Sequence, residues 1–223
     1  ENIRKVVDYL IAGNISEVTV VLTGLAAFPG LGIPLFPLQL LWINLLTDGL
    51  PALALGFDHP RRELAFRPAG LKTSQLLSGR RLSMLAARGI LLALGAIGAL
   101  ITARASGAGW EEARTVMFMA LVISHLLYAF VVRMPLDGNF FNPRLMVAIG
   151  AGLLLQAGTV LGPFRDLFNV VPVTASQWLL AIGAGVIPVV VLGAVEAWRN
   201  GRPRISSSPP AAADRTAGNR KES

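Results

Sequence analysis

The 223-residue chain is 53% hydrophobic and only 15% charged, with a mean hydropathy of +0.59; soluble domains carry about 25% charged residues, so this balance excludes a water-soluble globular domain. The net charge of +7 is spread between and after apolar runs instead of forming one basic stripe interleaved with aromatics, which excludes a nucleic-acid partner. There is no cysteine, so disulfides, thiolate metal sites and a cysteine nucleophile are excluded too.

The chain opens ENIRKVVDYL, with no initiator methionine, basic n-region or small-residue cleavage site; nothing there reads as a signal peptide, and the start reads as a cut from something longer. A helix crossing about 30 Å of hydrocarbon at 1.5 Å per residue needs roughly 20 mostly apolar residues. Six such stretches are predicted. The first runs from Val6 to Phe28 and ends at a turn built from Pro29, Gly30, Gly32 and Pro34; the second runs from Leu35 to Phe57, so the two form a tight hairpin. A polar loop, Asp58 to Arg81, leads to spans at Leu82–Ala103, Ala113–Val132, Leu145–Leu161 and Trp178–Trp198. The segments are thus a hairpin over 1–57, a loop over 58–81, a four-helix region over 82–198, and a tail over 199–223 whose Ser, Pro, Ala and charge cannot bury a core. AIGAG occurs at Ala148–Gly152 and again at Ala181–Gly185, and reads as small residues that let transmembrane backbones approach closely.

Cytoplasmic flanks carry the excess of Lys and Arg. One side collects Arg4, Lys5, the six cations of the 58–81 loop, Arg133, Arg144 and the six of the tail, while the other holds only Arg104, Arg114 and Arg165, with Arg88 just inside the third span. The predicted fold class is therefore all-α: a polytopic transmembrane helical bundle of six spans with both ends cytoplasmic.

An ionisable side chain at mid-membrane costs on the order of 3 kcal/mol, so Glu17 and Asp48, central in their spans, need a reason. Asn14 and Glu17 share a helical face at i, i+3, and Asn44, Thr47 and Asp48 share another at i, i+3, i+4. Because the helices form a hairpin, these faces can converge on two carboxylates, two amide carbonyls and a hydroxyl, an all-oxygen shell that suits a hard divalent cation. Gly49 and Pro51 follow directly; proline removes a donor and glycine loosens the helix, freeing carbonyls near Thr47 and Asp48 to face a polar cavity. Interhelical hydrogen bonding that only holds the bundle together is the competing reading.

YLIAGNISEV followed by IPLFPLQLLWINLLTDGLPALALGF resembles the fifth and sixth transmembrane helices of the calcium-transporting P-type ATPases, above all the sarco/endoplasmic reticulum type. The later spans match the seventh to tenth helices by order and length. The resemblance implies that Asn14, Glu17, Thr47 and Asp48 contribute to one calcium site and Asn44 and Asp48 to a second, with Asp48 bridging both. Sodium/potassium pumps carry an acid where this chain has Asn44, which places it with the calcium branch. Where the two-site calcium pumps have a glutamate on the eighth helix, MFMALVISHLLYAF places His125, a poor calcium ligand. Two readings follow: a single transported calcium with Glu17 and His125 serving proton countertransport, or a hydrogen bond from His125 to a neighbouring helix through Ser124 or Tyr128. In the family the 58–81 loop touches the phosphorylation domain, which gives Arg61, Arg62 and Lys72 a coupling role by analogy; His59 reads as an exposed loop residue.

The DKTGT and PEGLP strings of such pumps do not occur here, nor does a GxxxxGK[ST] loop. Alone, the chain is not expected to hydrolyse ATP; ATP and magnesium enter only through an upstream catalytic half, and membrane lipid is the remaining partner. The other reading is an autonomous six-span passive cation carrier or a non-catalytic assembly partner. Sequence upstream of Glu1 separates the two. The Ala, Gly and Arg bias points to a bacterial plasma membrane.

Overall fold

The computed structural model describes residues 2–47, 49–56, 79–133 and 142–201. In chain order these form α1 (Asn2–Ala27), a 3-10 turn (Pro29–Leu31), α2 (Pro37–Trp42), a π-helical turn (Ile43–Thr47), α3 (Gly49–Gly56), α4 (Gly79–Ala105), α5 (Trp110–Arg133), α6 (Pro143–Leu161), the short α7 (Arg165–Phe168) and α8 (Ala175–Gly201). Six stretches are long and apolar enough to cross a membrane, the second composed of α2, the π turn and α3. The all-α bundle of six spans is therefore the observed fold. Most of the expected 58–81 loop and the tail beyond residue 201 lie outside the described residues, with His59, Arg61, Arg62 and Lys72 among them.

α5 is the hub. Its sequence is apolar on every side from Val116 to Ile123, and a helix of that kind must be surrounded. Accordingly 83% of its apolar stretch is buried, against 28% for α8 and 33% for α1, whose outer faces remain open. With lipid as solvent there is no hydrophobic drive between spans, so close packing holds them, and glycine permits it. A methyl group added at Gly89 of α4 would stand 2.6 Å from the Ala12 carbonyl of α1. At Gly95 it would stand 2.6 Å from the Ala184 carbonyl of α8, the very acceptor whose helical donor Pro188 removes. The two AIGAG segments behave alike: Gly152 abuts Leu126 and Gly185 abuts Ala120 and Ile123, so the last glycine of each copy seats its helix on α5.

Ion pairs and polar contacts mark the two ends of the bundle. At one end Arg81 of α4 binds Asp8 of α1, and Arg88 of α4 binds Glu196 of α8, which also lies 3.5 Å from Arg199. The expectation that Arg81 is a solvated loop residue is corrected here. α4 begins at Gly79, and Arg81 is 7% exposed because its guanidinium turns inward to a carboxylate that neutralises it. At the other end the guanidinium of Arg104 lies 4.2 Å from the centre of the Trp110 ring, and Gln177 of α8 donates to Glu112 of α5 at 3.2 Å.

The Asp8–Arg81 pair makes a measurable prediction. Asp8→Asn leaves a buried guanidinium without its counter-charge and is expected to destabilise the bundle by about 3 kcal/mol. This reads out as earlier thermal unfolding in detergent, whereas Asp8→Leu combined with Arg81→Leu recovers most of the loss. A double variant no better than Asp8→Asn would refute the pairing as the cause.

Candidate cation site

The hairpin is fixed at its reversal and along its flank. Gly24 lets the chain fold back on itself, since a methyl there would stand 2.4 Å from Pro34, and Gly32 adopts φ +68°, a region that favours glycine. Gln39, fully buried, donates to the Phe168 carbonyl at 2.8 Å; Trp42 donates its indole N–H to Gln156 of α6 at 3.0 Å and meets Phe168 edge-on at 4.8 Å. These contacts hold the second span against α6 and α7 one turn before its helix changes character. The pattern NLLTDGLP predicts that the helix loosens ahead of Gly49 and Pro51, and the described backbone is π-helical over Ile43–Thr47 before regular helix resumes at Gly49. A π turn widens the helix and recurs at functional sites.

Two of the expected ligands meet across the hairpin. Glu17 of α1 is 5% exposed, and the Asn44 side-chain amide donates to its Oε2 at 2.9 Å. The same amide nitrogen donates to the Leu40 carbonyl one turn back, also at 2.9 Å. Both N–H groups of Asn44 are thereby used, which leaves its carbonyl oxygen as the atom with lone pairs to offer a cation. Asn14, three residues before Glu17, is exposed and makes no side-chain hydrogen bond among the described residues. It heads a stripe of exposed positions, Asn14, Val18, Leu22 and Leu25, along α1, and the second span shows Leu41, Asn44 and Leu45 in the same way. Only the backbone of Thr47 is described, and Asp48 lies outside the described residues. Among the described residues no three His, Cys, Asp or Glu side chains cluster.

His125 sits on the hub helix, 1% exposed, with its Nε2 2.5 Å from the Ser16 hydroxyl of α1. Ser16 also lies 2.7 Å from the Gly13 carbonyl; with its hydrogen directed there, it accepts from the imidazole, which then carries a proton on Nε2. His125 thus makes a bond to a neighbouring helix, with Ser16 of α1 as a partner. Ser124 turns its hydroxyl to Leu121 of its own helix at 2.8 Å. Ser16 directly precedes Glu17, so the imidazole is tied to the backbone segment that carries the buried carboxylate. Tyr9, about two turns earlier on α1, donates to the His125 carbonyl at 3.2 Å. Sequence reasoning passed over Ser16, Tyr9, Gln39 and Gln156; the available signal was that each is a polar side chain inside an apolar span.

Residues 32–198 match the family described as cation transporting ATPase, C-terminus. The chain belongs to that family. Among its relatives, a calcium-transporting ATPase of Bacillus subtilis (strain 168) is 33% identical over 198 residues, covering 86% of this chain and 22% of the relative. Calcium-transporting ATPase 1 of Bacillus cereus (strain ATCC 10987 / NRS 248) is 27% identical over 212 residues, covering 85% of this chain and 24% of the relative. The chain thus spans less than a quarter of the length of these two relatives. Within the cation-transporting ATPases it corresponds to the C-terminal membrane region, and the six apolar helices agree with that placement.

Proposed function

We propose that the chain is the C-terminal membrane half of a calcium-pumping P-type ATPase and that Asn14, Glu17, Asn44, Thr47 and Asp48 supply most of its transport-site ligands. The observation that carries this reading is the Asn44–Glu17 hydrogen bond, which joins the two ligand-bearing helices at a buried carboxylate beside a π-helical turn. The likeness to the sarco/endoplasmic reticulum type rests on the NLLTDGLPA stretch.

In this reading the catalytic half lies upstream and brings ATP, magnesium and the phosphorylated aspartate. The helices here bind calcium and release it when phosphorylation alters the hairpin's geometry. Release requires only that one state hold the ion less well, and the widened segment between α2 and α3 is the part of the hairpin best suited to change. The excess of Lys and Arg at the end bearing Asp8, Arg81 and Arg199 makes that end cytoplasmic, with both chain ends there. The bacterial plasma membrane is the compartment that fits the relatives' source.

An autonomous carrier would leave the Asn14 amide and the Asn44 carbonyl oxygen on an open face, where lipid offers them no partner. A helix from an upstream half covers that face and adds ligands, which is why the pump is preferred. His125, occupying the place of a carboxylate ligand, leaves one calcium site and a proton-carrying role beside Glu17. The test is ATP-driven calcium uptake by vesicles holding the full-length protein, with one calcium expected per ATP. Two calcium ions per ATP would sink the single-site reading, and absence of calcium uptake would sink the proposed function.

A further inference from the structure

We infer that Arg114 is a positioning residue for the cation site, clamping the reversal between α1 and α2 so that Glu17 and Asn44 are held in register. The inference rests on the reading that these two residues hold the transported ion. Arg114 lies in the first turns of α5, and its Nη1 faces two carbonyls of the reversal, Leu31 and Ile33, in long contacts of 3.4 Å each, so its hold is chiefly that of a positive charge shared between two carbonyl dipoles. Its guanidinium also lies 4.6 Å from the centre of the Phe36 ring, at the entry to α2. Its Nε is buried and makes no hydrogen bond among the described residues, and the Glu111 carboxylate one turn back attracts the guanidinium beside the carbonyls and the ring. One side chain therefore touches the reversal at three points between the end of α1 and the start of α2.

The platform behind Arg114 is itself braced. The reversal lies on the Trp110 indole so closely that a methyl at Gly30 would stand 2.8 Å from it, and Arg104 covers that ring. Thr115, next to Arg114, accepts a hydrogen bond from the Val171 backbone at 3.1 Å. Helices transmit axial displacement along their length because every backbone bond is internal. α1 is regular helix from Glu17 to Ala27, so a slip at the reversal is carried along α1 to Glu17 and shifts it against Asn44. Their 2.9 Å bond does not survive a slip of about 1 Å, given that hydrogen bonds weaken beyond about 3.2 Å. Arg114 touches neither ligand and acts only through the register.

The test is the calcium concentration for half-maximal phosphorylation from ATP in the full-length protein, normalised to folded enzyme. Arg114→Gln is expected to raise it roughly five- to tenfold, with maximal phosphoenzyme unchanged. Arg114→Lys, which keeps the charge but loses the flat stacking group, is expected to fall between. Phe36→Leu, which removes only the ring, is expected to shift it in the same direction by a smaller factor and carries the test if Arg114→Gln does not fold. An unchanged half-maximal concentration in Arg114→Lys and Phe36→Leu, while Glu17→Gln still abolishes calcium dependence, overturns the clamp alone. If Glu17→Gln leaves calcium dependence intact, the site reading falls and the clamp with it.

Discussion

If the proposed function holds, replacing Glu17 or Asp48 by its amide is expected to abolish calcium-dependent phosphorylation of the full-length protein while leaving it folded. For Glu17 the argument is geometric. A glutamine amide has the same shape as the carboxylate, and its carbonyl oxygen still accepts from Asn44, so the contact that joins α1 to the second span survives Glu17→Gln. What disappears is the formal negative charge that, in the proposed site, would face the divalent cation. Calcium affinity follows the number of charged ligands and the rigidity of the cage. Loss of one carboxylate among mostly neutral donors is expected to weaken binding roughly hundredfold or more, about 3 kcal/mol. For Asp48 the argument comes from the sequence, where it falls on the same face as Asn44 and directly before the Gly49–Pro51 break. Folding is checked by thermal unfolding, and phosphorylation from inorganic phosphate without calcium shows that the catalytic half still works. Normal calcium dependence in either variant would remove that residue from the site.

The second large effect is structural. Gly89→Val is expected to disrupt the seam between α1 and α4, because the first carbon of the new side chain would lie 2.6 Å from the Ala12 carbonyl and 2.9 Å from Ile15. A backbone carbonyl inside a helix cannot swing aside as a flexible side chain can, so α1 itself must move. Overpacking of this kind costs about 1–3 kcal/mol and more where backbone is the obstacle. Since α1 carries Glu17 and Ser16, weaker calcium binding should accompany the loss of stability. Gly98→Val is the control: it sits on the same helix with open space around it, and the same substitution there should change neither property appreciably. Equal damage at both positions would show that helix propensity, and not the seam, is responsible.

What could be read from the sequence was what depends on neighbours along the chain. Apolar length places all six spans, since hydrocarbon thickness sets a residue count. The Pro29–Pro34 turn makes the hairpin, and Gly49 and Pro51 announce the disturbed helix that appears as a π turn from Ile43 to Thr47. The AIGAG repeats signal close backbone approach, though not that both copies rest on α5. Partner choice across the bundle was not legible. Arg81 and Asp8 are 73 residues apart, Ser16 and His125 109, and Trp42 and Gln156 114. Periodicity defines the buried face of a helix without saying which helix it meets. For that reason Arg81 reads as a loop cation from composition, and the partner that His125 has on α1 is not foreseen. Within the site, Asn14 and Glu17 share a face by spacing, yet one is exposed and the other buried. The edge between a packed and an open surface passes between them, and only the arrangement of the other helices sets where that edge lies.

Equilibrium binding of radioactive calcium to the full-length protein in detergent, without ATP, tests the central claim most directly. The wild type is expected to hold one saturable calcium per polypeptide, and Glu17→Gln, with an unchanged melting transition, is expected to hold none at concentrations that saturate the wild type. Calcium retained by Glu17→Gln with wild-type affinity would contradict the assignment of the transport site to this hairpin.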